Sequence, residues 1–144
     1  MFPGCGCVPD DPAAGIWKNQ RMALVSWFEI PVVDIERAIA FYEFVFEIEL
    51  ERTVIDGHPM ALFPDADESG SASGALATGD SYVPSVDGTR VYFRVDDVEG
   101  TLARALDRGG QVLYPVTDVG EQGAVAEFSD SEGNRIACAG PASC

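Results

Sequence analysis

The sequence predicts an α+β fold made of two similar halves, each running strand, helix and then three strands. Strand-like and helix-like hydrophobic patterns follow one another in that order, and the whole order occurs twice along the chain. The halves also match when the sequence is aligned with itself at an offset of 63 positions, which aligns Asp34 with Asp97 and Val32 with Val95. We interpret this match as an internal duplication.

In the first half, residues 24–32 alternate between two faces, which is typical of a half-buried strand. Asp34 is a candidate helix N-cap. After it, apolar side chains recur at helical spacing, at Ile35, Ala38, Ile39, Tyr42 and Phe46. Strands are then predicted over residues 48–55, 58–63 and 75–78, with Asp56-Gly57 as a hairpin turn and residues 64–74 as an exposed loop.

The second half repeats these signals. A strand is predicted over residues 89–95, and a helix over residues 98–108 that stops at Gly109-Gly110. Three strands complete the half, over residues 111–117, 124–129 and 135–139. The last two are joined by a turn in which Gly133 takes a positive φ.

Length and charge limit the classes of function. The 144 residues carry a net charge of −15, which disfavours nucleic acid and anionic membrane surfaces as partners. No stretch is apolar enough to span a membrane. Residues 1–21 show no periodicity and are predicted to be a disordered tail or a misassigned start. Residues 22–144 are predicted to form one domain, with modules at about 23–80 and 86–140.

The acidity takes an unusual form, because Lys18 is the only lysine. Such a composition suits a salt-rich cytoplasm, although an ordinary acidic protein or an acidic cleft for a cationic ligand would explain it too. The four cysteines, Cys5, Cys7, Cys138 and Cys144, have neither disulfide-scaffold nor zinc-site spacing. With no secretory segment at the start, we expect a cytoplasmic protein.

Three segments, WFEIPVVDIERAIAFYEFVF, VYFRVDDVEGTLARALDRGG and DSEGNRIA, resemble the vicinal oxygen chelate superfamily. This group includes glyoxalase I, bleomycin resistance proteins and extradiol dioxygenases, and the chain is most similar to its small glyoxalase-like members. The resemblance covers residues 23–140. It implies two βαβββ modules in a curved, open, eight-stranded mixed sheet with helices on the convex side. It also implies a small-molecule ligand on the concave side, and a homodimer.

The resemblance further implies a divalent metal, held by His on the first strand and by a carboxylate or His on the last strand of each module. Those positions fall here on Trp27, Arg90, Ala137 and the strand near residues 74–77, none of which supplies an ordinary metal ligand. His58, the single histidine, is expected to be exposed at a hairpin. We therefore predict no metal and no cofactor, while a relocated metal site stays open. Relatives also commonly carry Gly at Glu47, which predicts either a strained Glu47 or an altered helix exit.

Strand alternation selects the side chains of the concave face. Val91, Phe93 and Val95 are predicted to pack on the second helix, and Ala124, Ala126 and Phe128 likewise. The opposite face then carries Trp27, Glu29, Arg90, Tyr92, Arg94 and Glu127. Arginine binds carboxylate or carbonyl oxygen, and a buried Glu29 or Glu127 is a candidate proton-transfer base.

Each candidate also has a structural explanation. For Glu29 it is an ion pair with Arg90 across the sheet. For Arg94 and Glu127 it is a position in solvent, and for Trp27 it is the filling of an interface. Three functions therefore remain, and the sequence leaves open whether the protein is an enzyme. The first is a metal-free small-molecule-binding protein. The second is an enzyme of the glyoxalase, isomerase or dioxygenase type, with a relocated metal or Glu acid–base chemistry. The third is a non-catalytic interaction module.

Overall fold

The computed structural model describes residues 24–64 and 73–142, and within them the chain forms two four-stranded sheets with two α-helices. The first half contains β1 (Phe28–Pro31), α1 (Ile35–Phe46), β2 (Glu51–Ile55), β3 (His58–Leu62) and β4 (Gly74–Ala77). The second half contains β5 (Tyr92–Arg94), α2 (Val98–Asp107), β6 (Val112–Asp118), a 3₁₀ turn (Gly120–Gln122), β7 (Ala124–Ser129) and β8 (Arg135–Gly140). The order confirms the predicted α+β fold.

The predictions for residues 1–21, for most of the 64–74 loop and for three of the four cysteines lie outside the described residues. The predicted first strand of each half is longer than the observed one. β1 pairs only with β4, from Phe28 opposite Gly74 to Pro31 opposite Ala77. In the described part of the chain no strand pairs with residues 24–27, so the alternation of their side chains alone does not make them a strand.

The sheets have the same topology, with strand orders β1-β4-β3-β2 and β5-β8-β7-β6. In each, the first strand is parallel to its neighbour and the other pairs are antiparallel. The eight predicted strands are thus present as two hydrogen-bonded sheets of four. β1 and β5 each lie at one edge of their sheet, and the ring centroids of Phe28 and Phe93 meet between them at 5.9 Å.

Both helices begin as the repeat predicts. The Asp34 side chain accepts a hydrogen bond from the backbone N–H of Arg37, and Asp97 accepts one from Gly100. These bonds satisfy N–H groups that have no partner within the helix. Each helix then turns its apolar face onto its own sheet, as the spacing of its apolar residues predicts.

Aromatic rings fill the space between the helices and the sheets. The ring centroid of Phe93 lies 4.6 Å from that of Phe46 and 5.2 Å from that of Phe63. The Tyr42 ring stacks on Phe46 with 5.9 Å between the centroids. The predicted packing faces of the strands belong to this core except for Val91. Phe93, predicted to pack on the second helix, meets Tyr42 and Phe46 of α1. The core therefore joins the two halves through rings supplied by both.

Polar contacts join the halves as well. The turn between β7 and β8 places the Glu132 carboxylate at the start of α1. There it accepts hydrogen bonds from the backbone N–H groups of Val33 and Asp34 at 2.9 Å and from Nε and Nη2 of Arg37. Burial would raise the pKa of Glu132, but the Arg37 and backbone hydrogen bonds outweigh it and lower this pKa to about 2. The carboxylate also matches the positive end of the helix dipole.

Among the residues that the structure describes, two that are not glycine adopt positive φ, and both positions were singled out by the sequence analysis. Glu47 ends α1 at φ 57° and ψ 50°, which confirms the strained helix exit. Its side chain lies 3.7 Å from the Arg104 guanidinium. Asp56, at φ 53°, and Gly57, at φ 78°, form the predicted hairpin turn between β2 and β3. Within the described ranges, no helix is both long and apolar enough to cross a membrane.

Candidate functional site

The face of each sheet that points away from the helices, here called its open face, carries the predicted site residues. On β7, Ala124, Ala126 and Phe128 pack into the core, as predicted, so Glu127 points the other way. β8 brings Ala137 opposite both Glu127 on β7 and Tyr92 on β5. Residues of three strands thus share the open face of the second sheet.

Glu127 is the centre of this face. It is 4% exposed, so it is not the solvated surface carboxylate that one interpretation expected. Its Oε1 accepts a hydrogen bond from Arg135 Nε, and its Oε2 lies 3.4 Å from both Arg90 Nη1 and the Tyr92 hydroxyl. Two guanidinium groups offset the cost of burying this charge.

Positive charge is concentrated here, against the trend of the chain. Three of the seven described arginines, Arg90, Arg94 and Arg135, lie on this one face. A guanidinium has five N–H donors, and Glu127 engages only one nitrogen each of Arg90 and Arg135. Arg94 is exposed, and no carboxylate of the described chain lies within 4.0 Å of its nitrogens. The face therefore presents guanidinium donors to an incoming group.

The open face of the first sheet holds a second, separate group. Glu29 accepts a hydrogen bond from the Trp27 indole at 3.1 Å and one from the Tyr82 hydroxyl at 2.6 Å. The expected pairing of Glu29 with Arg90 is therefore wrong, because Arg90 bonds Glu127 on its own sheet instead. Donation to Glu29, partial burial and the nearby charge of Asp56 raise the pKa of Tyr82.

Two members of these groups were missed by the sequence analysis. Arg135 is opposite Ser129, two residues from Glu127, so alternation along β7 and β8 places it on the open face and was a usable signal. Tyr82 follows β4 in a loop without periodicity, and nothing local indicates that it reaches Glu29, 53 positions earlier. His58 is half-buried rather than exposed, with Nδ1 3.1 Å from the Thr78 carbonyl and its ring edge-on to Tyr82.

The residues at the expected ligand positions do not fit a divalent metal. An indole and a guanidinium stand at Trp27 and Arg90, and the Ala137 side chain has no donor atom. No three His, Cys, Asp or Glu side chains of the described chain gather closely enough to hold an ion. Burial raises the pKa of the Cys138 thiol to about 11, which disfavours the thiolate that metals bind.

Tyr92 and Arg94 lie between two hollows of ligand size. A cleft of about 600 Å³ opens between the halves, with Phe28, Phe63 and Phe93 in its wall. A second hollow of about 420 Å³ lies along β5 and the end of β8 and is bordered by Asp96 and Glu121. Both volumes lie in the range typical of small-molecule sites.

Comparison with known proteins places these features in a family. The profile of the Glyoxalase/Bleomycin resistance protein/Dioxygenase superfamily matches residues 24–138. A putative glyoxylase of Mycobacterium bovis, CFP32, is 29% identical over 138 residues, covering 87% of this chain and 50% of that protein. A glyoxylase-like domain-containing protein of Didymella fabae is 28% identical over 116 residues, covering 76% and 88%. The chain thus spans about half the length of the mycobacterial relative.

Solved structures share the fold. TnmS3, an antibiotic-binding protein of a Streptomyces species, has 26% sequence identity and a TM-score of 0.61, covering 85% of this chain and 98% of that one. A maize glyoxalase I mutant has a TM-score of 0.58 at 19% identity, covering 79% and 44%. The second likeness shows the fold alone.

Proposed function

Because the chain belongs to the Glyoxalase/Bleomycin resistance protein/Dioxygenase superfamily, we propose that it binds a small molecule without a metal, on the open face of its second sheet. The observation that carries the proposal is the buried Glu127 with Arg90 and Arg135 bound to it. The ligand supplies an anionic or carbonyl oxygen that accepts hydrogen bonds from the unused guanidinium donors.

The arrangement assigns different tasks to the charges. Arg90 occupies the position at which the family resemblance implies a metal-binding histidine, so a fixed guanidinium replaces the positive charge of the ion. Glu127 holds Arg90 and Arg135 in place and limits their side-chain freedom, which lowers the entropy lost on binding. Tyr92, 50% exposed, offers a ring on which a planar ligand can stack.

The hydrogen bonds that Glu127 and Glu29 already accept within the protein favour a binding protein over an acid–base enzyme. Both oxygens of Glu127 accept hydrogen bonds, mainly from guanidinium groups, and both oxygens of Glu29 accept bonds from Trp27 and Tyr82. A proton-transfer base needs a lone pair directed at the substrate. The antibiotic-binding TnmS3, at 26% identity, supports the same choice.

The proposal includes pairing of two copies in a salt-rich cytoplasm. Tyr92 and Tyr114 are 50% and 40% exposed, and Tyr114 lies opposite Glu127 on the open face. An exposed aromatic pair beside a ligand site suits a contact between subunits. Sedimentation equilibrium tests this, because a monomer at all concentrations contradicts the pairing while leaving the ligand site to its own test.

The test of the ligand site compares benzoate with its neutral isostere benzamide by calorimetric titration. We expect benzoate to bind and Arg90→Met to weaken it by about tenfold, since a charged hydrogen bond is lost. Arg52→Met is the matched control, because it removes the same charge from an exposed pair with Glu36. Because benzamide also has a carbonyl oxygen, it measures how much of the binding depends on charge. Failure of benzoate to bind, or equal effects of the two variants, contradicts the proposal. So does stoichiometric Zn, Fe or Mn whose removal abolishes binding.

A further inference from the structure

We propose that the open face of the first sheet carries a separate site for an organic ammonium group, formed by Trp27, Glu29 and Tyr82. The site uses none of the residues of the proposed oxygen-ligand site. It lies on a different sheet, so either site can exist without the other.

The first argument is the charge of Glu29. Both carboxylate oxygens are held by neutral donors, the Trp27 indole at 3.1 Å and the Tyr82 hydroxyl at 2.6 Å. In the described part of the chain, no Arg, Lys or His nitrogen lies within 4.0 Å of it. Asp56 adds a second negative charge near Tyr82. The carboxylate is therefore oriented but not neutralised, and it attracts a cation.

The second argument is the aromatic surface around that charge. Trp27 is 37% exposed, so part of its ring can be reached from solvent. Tyr82 is half-buried, with His58 edge-on to it at 5.6 Å. A cation is attracted to the face of an aromatic ring, most strongly to tryptophan, and alkylated ammonium gains most because it sheds water readily. Aromatic rings beside one carboxylate select this class over a small metal ion, which requires several oxygen ligands.

The third argument comes from the duplication. Trp27 and Glu29 correspond, 63 positions later, to Arg90 and Tyr92. Both halves thus place one ring and one charge at these two positions, but the charge is negative in the first half and positive in the second. The two open faces therefore favour ligand groups of opposite sign.

A purely structural role for the Tyr82–Glu29 bond is the competing explanation. Tyr82 lies in the segment that joins the halves, and its hydroxyl tethers that segment to β1. Under this explanation the bond stabilises the fold and no cation binds. Tyr82→Phe separates the two roles, because it removes the tether but keeps the ring and the Glu29 charge.

The experiment titrates choline and its neutral isostere 3,3-dimethyl-1-butanol, by calorimetry and by the NMR signal of the Trp27 indole, which Trp27→Phe identifies. We expect choline to bind at least about tenfold more tightly than the alcohol, and Glu29→Gln to remove that preference. Tyr82→Phe should keep it. Trp27→Leu should lose the preference for choline, whereas Trp27→Phe keeps an aromatic face and most of the affinity for choline.

Glu99→Gln is the matched control, because it removes one exposed charge from α2. Equal binding of choline and the alcohol overturns the proposal. A loss in Glu99→Gln as large as in Glu29→Gln does so too, since it indicates general attraction to an acidic protein. If Glu29→Gln unfolds, the pair Trp27→Leu and Trp27→Phe decides. Benzoate binding, measured on the same variants, reports the other site independently.

Discussion

Replacing Glu132 by Gln tests the polar link between the halves. The carboxylate accepts hydrogen bonds from two backbone N–H groups at the start of α1 and from Nε and Nη2 of Arg37. Gln keeps one acceptor oxygen for the backbone. It removes the charge and turns an N–H₂ donor toward the Arg37 donors, so the variant loses the pairing while changing the shape of the side chain very little.

The magnitude follows from burial and partner type. A hydrogen bond to a charged group contributes about 1.5–3 kcal/mol, and the Glu132 side chain has no accessible surface. Arg37 is half exposed, so water replaces part of what it loses. We therefore expect the free energy of unfolding to fall by about 2 kcal/mol. For a chain of this size that lowers the melting temperature by roughly 5–10 °C.

The pH dependence gives the prediction its sign. The pKa of Glu132 is about 2 in the fold and rises to its ordinary value, near 4.5, on unfolding. A lowered pKa stabilises the fold above the unfolded value, and that stability is lost as the pH falls toward the folded value. The difference between the natural chain and Glu132→Gln should therefore be full at neutral pH and shrink between about pH 4.5 and 2.

Urea unfolding, followed by circular dichroism at a series of pH values, measures both quantities. Glu36→Gln is the control, because its partner Arg52 and Glu36 itself are more than half exposed, and we expect no change in the unfolding midpoint. Two results would refute the reasoning. One is equal stability of Glu132→Gln and the natural chain at neutral pH. The other is a loss that stays constant down to about pH 2.

Three further predictions concern stability. Glu47→Gly should raise the free energy of unfolding by about 0.5–1 kcal/mol, because glycine adopts a φ of 57° without strain and only the surface ion pair with Arg104 is lost. A variant that unfolds at lower urea concentration contradicts this. Tyr42→Phe should lower the free energy of unfolding by about 1–2 kcal/mol, because the buried hydroxyl donates a hydrogen bond to Asp130 at 2.6 Å. An unchanged unfolding transition in scanning calorimetry contradicts this. The melting temperature should rise from low salt to molar KCl, and indifference to salt would argue against a salt-rich cytoplasm.

Local signals predicted most of the elements. Asp34 and Asp97 cap their helices because a short carboxylate reaches N–H groups three residues ahead, a contact contained within four residues. The turn at Asp56-Gly57 was predictable for the same reason, because it depends only on residues a few positions apart. The apolar faces of β1 and β7 were also readable, since strand alternation needs no knowledge of the partner strand.

Strand length and charge pairing were less predictable. Residues 24–27 alternate like a strand, but among the described residues no strand pairs with them. Glu29 and Arg90 looked like partners because both were assigned to the concave face. Arg90 instead finds Glu127, which lies on its own sheet and is buried there. A pattern along one strand identifies a face, but it does not say which charges meet on it.

The order of elements, the two caps and the hairpin turn all followed from the order of residues, because each depends on neighbours a few positions away. The strained Glu47 followed from the family resemblance. The contacts of Glu132 with α1, of Tyr82 with Glu29 and of Arg135 with Glu127 required the folded chain. They join residues brought together by sheet pairing and by the packing of one half on the other. These long-range contacts separate the open faces into one rich in guanidinium and one built around a carboxylate, which is the distinction on which both proposed sites depend.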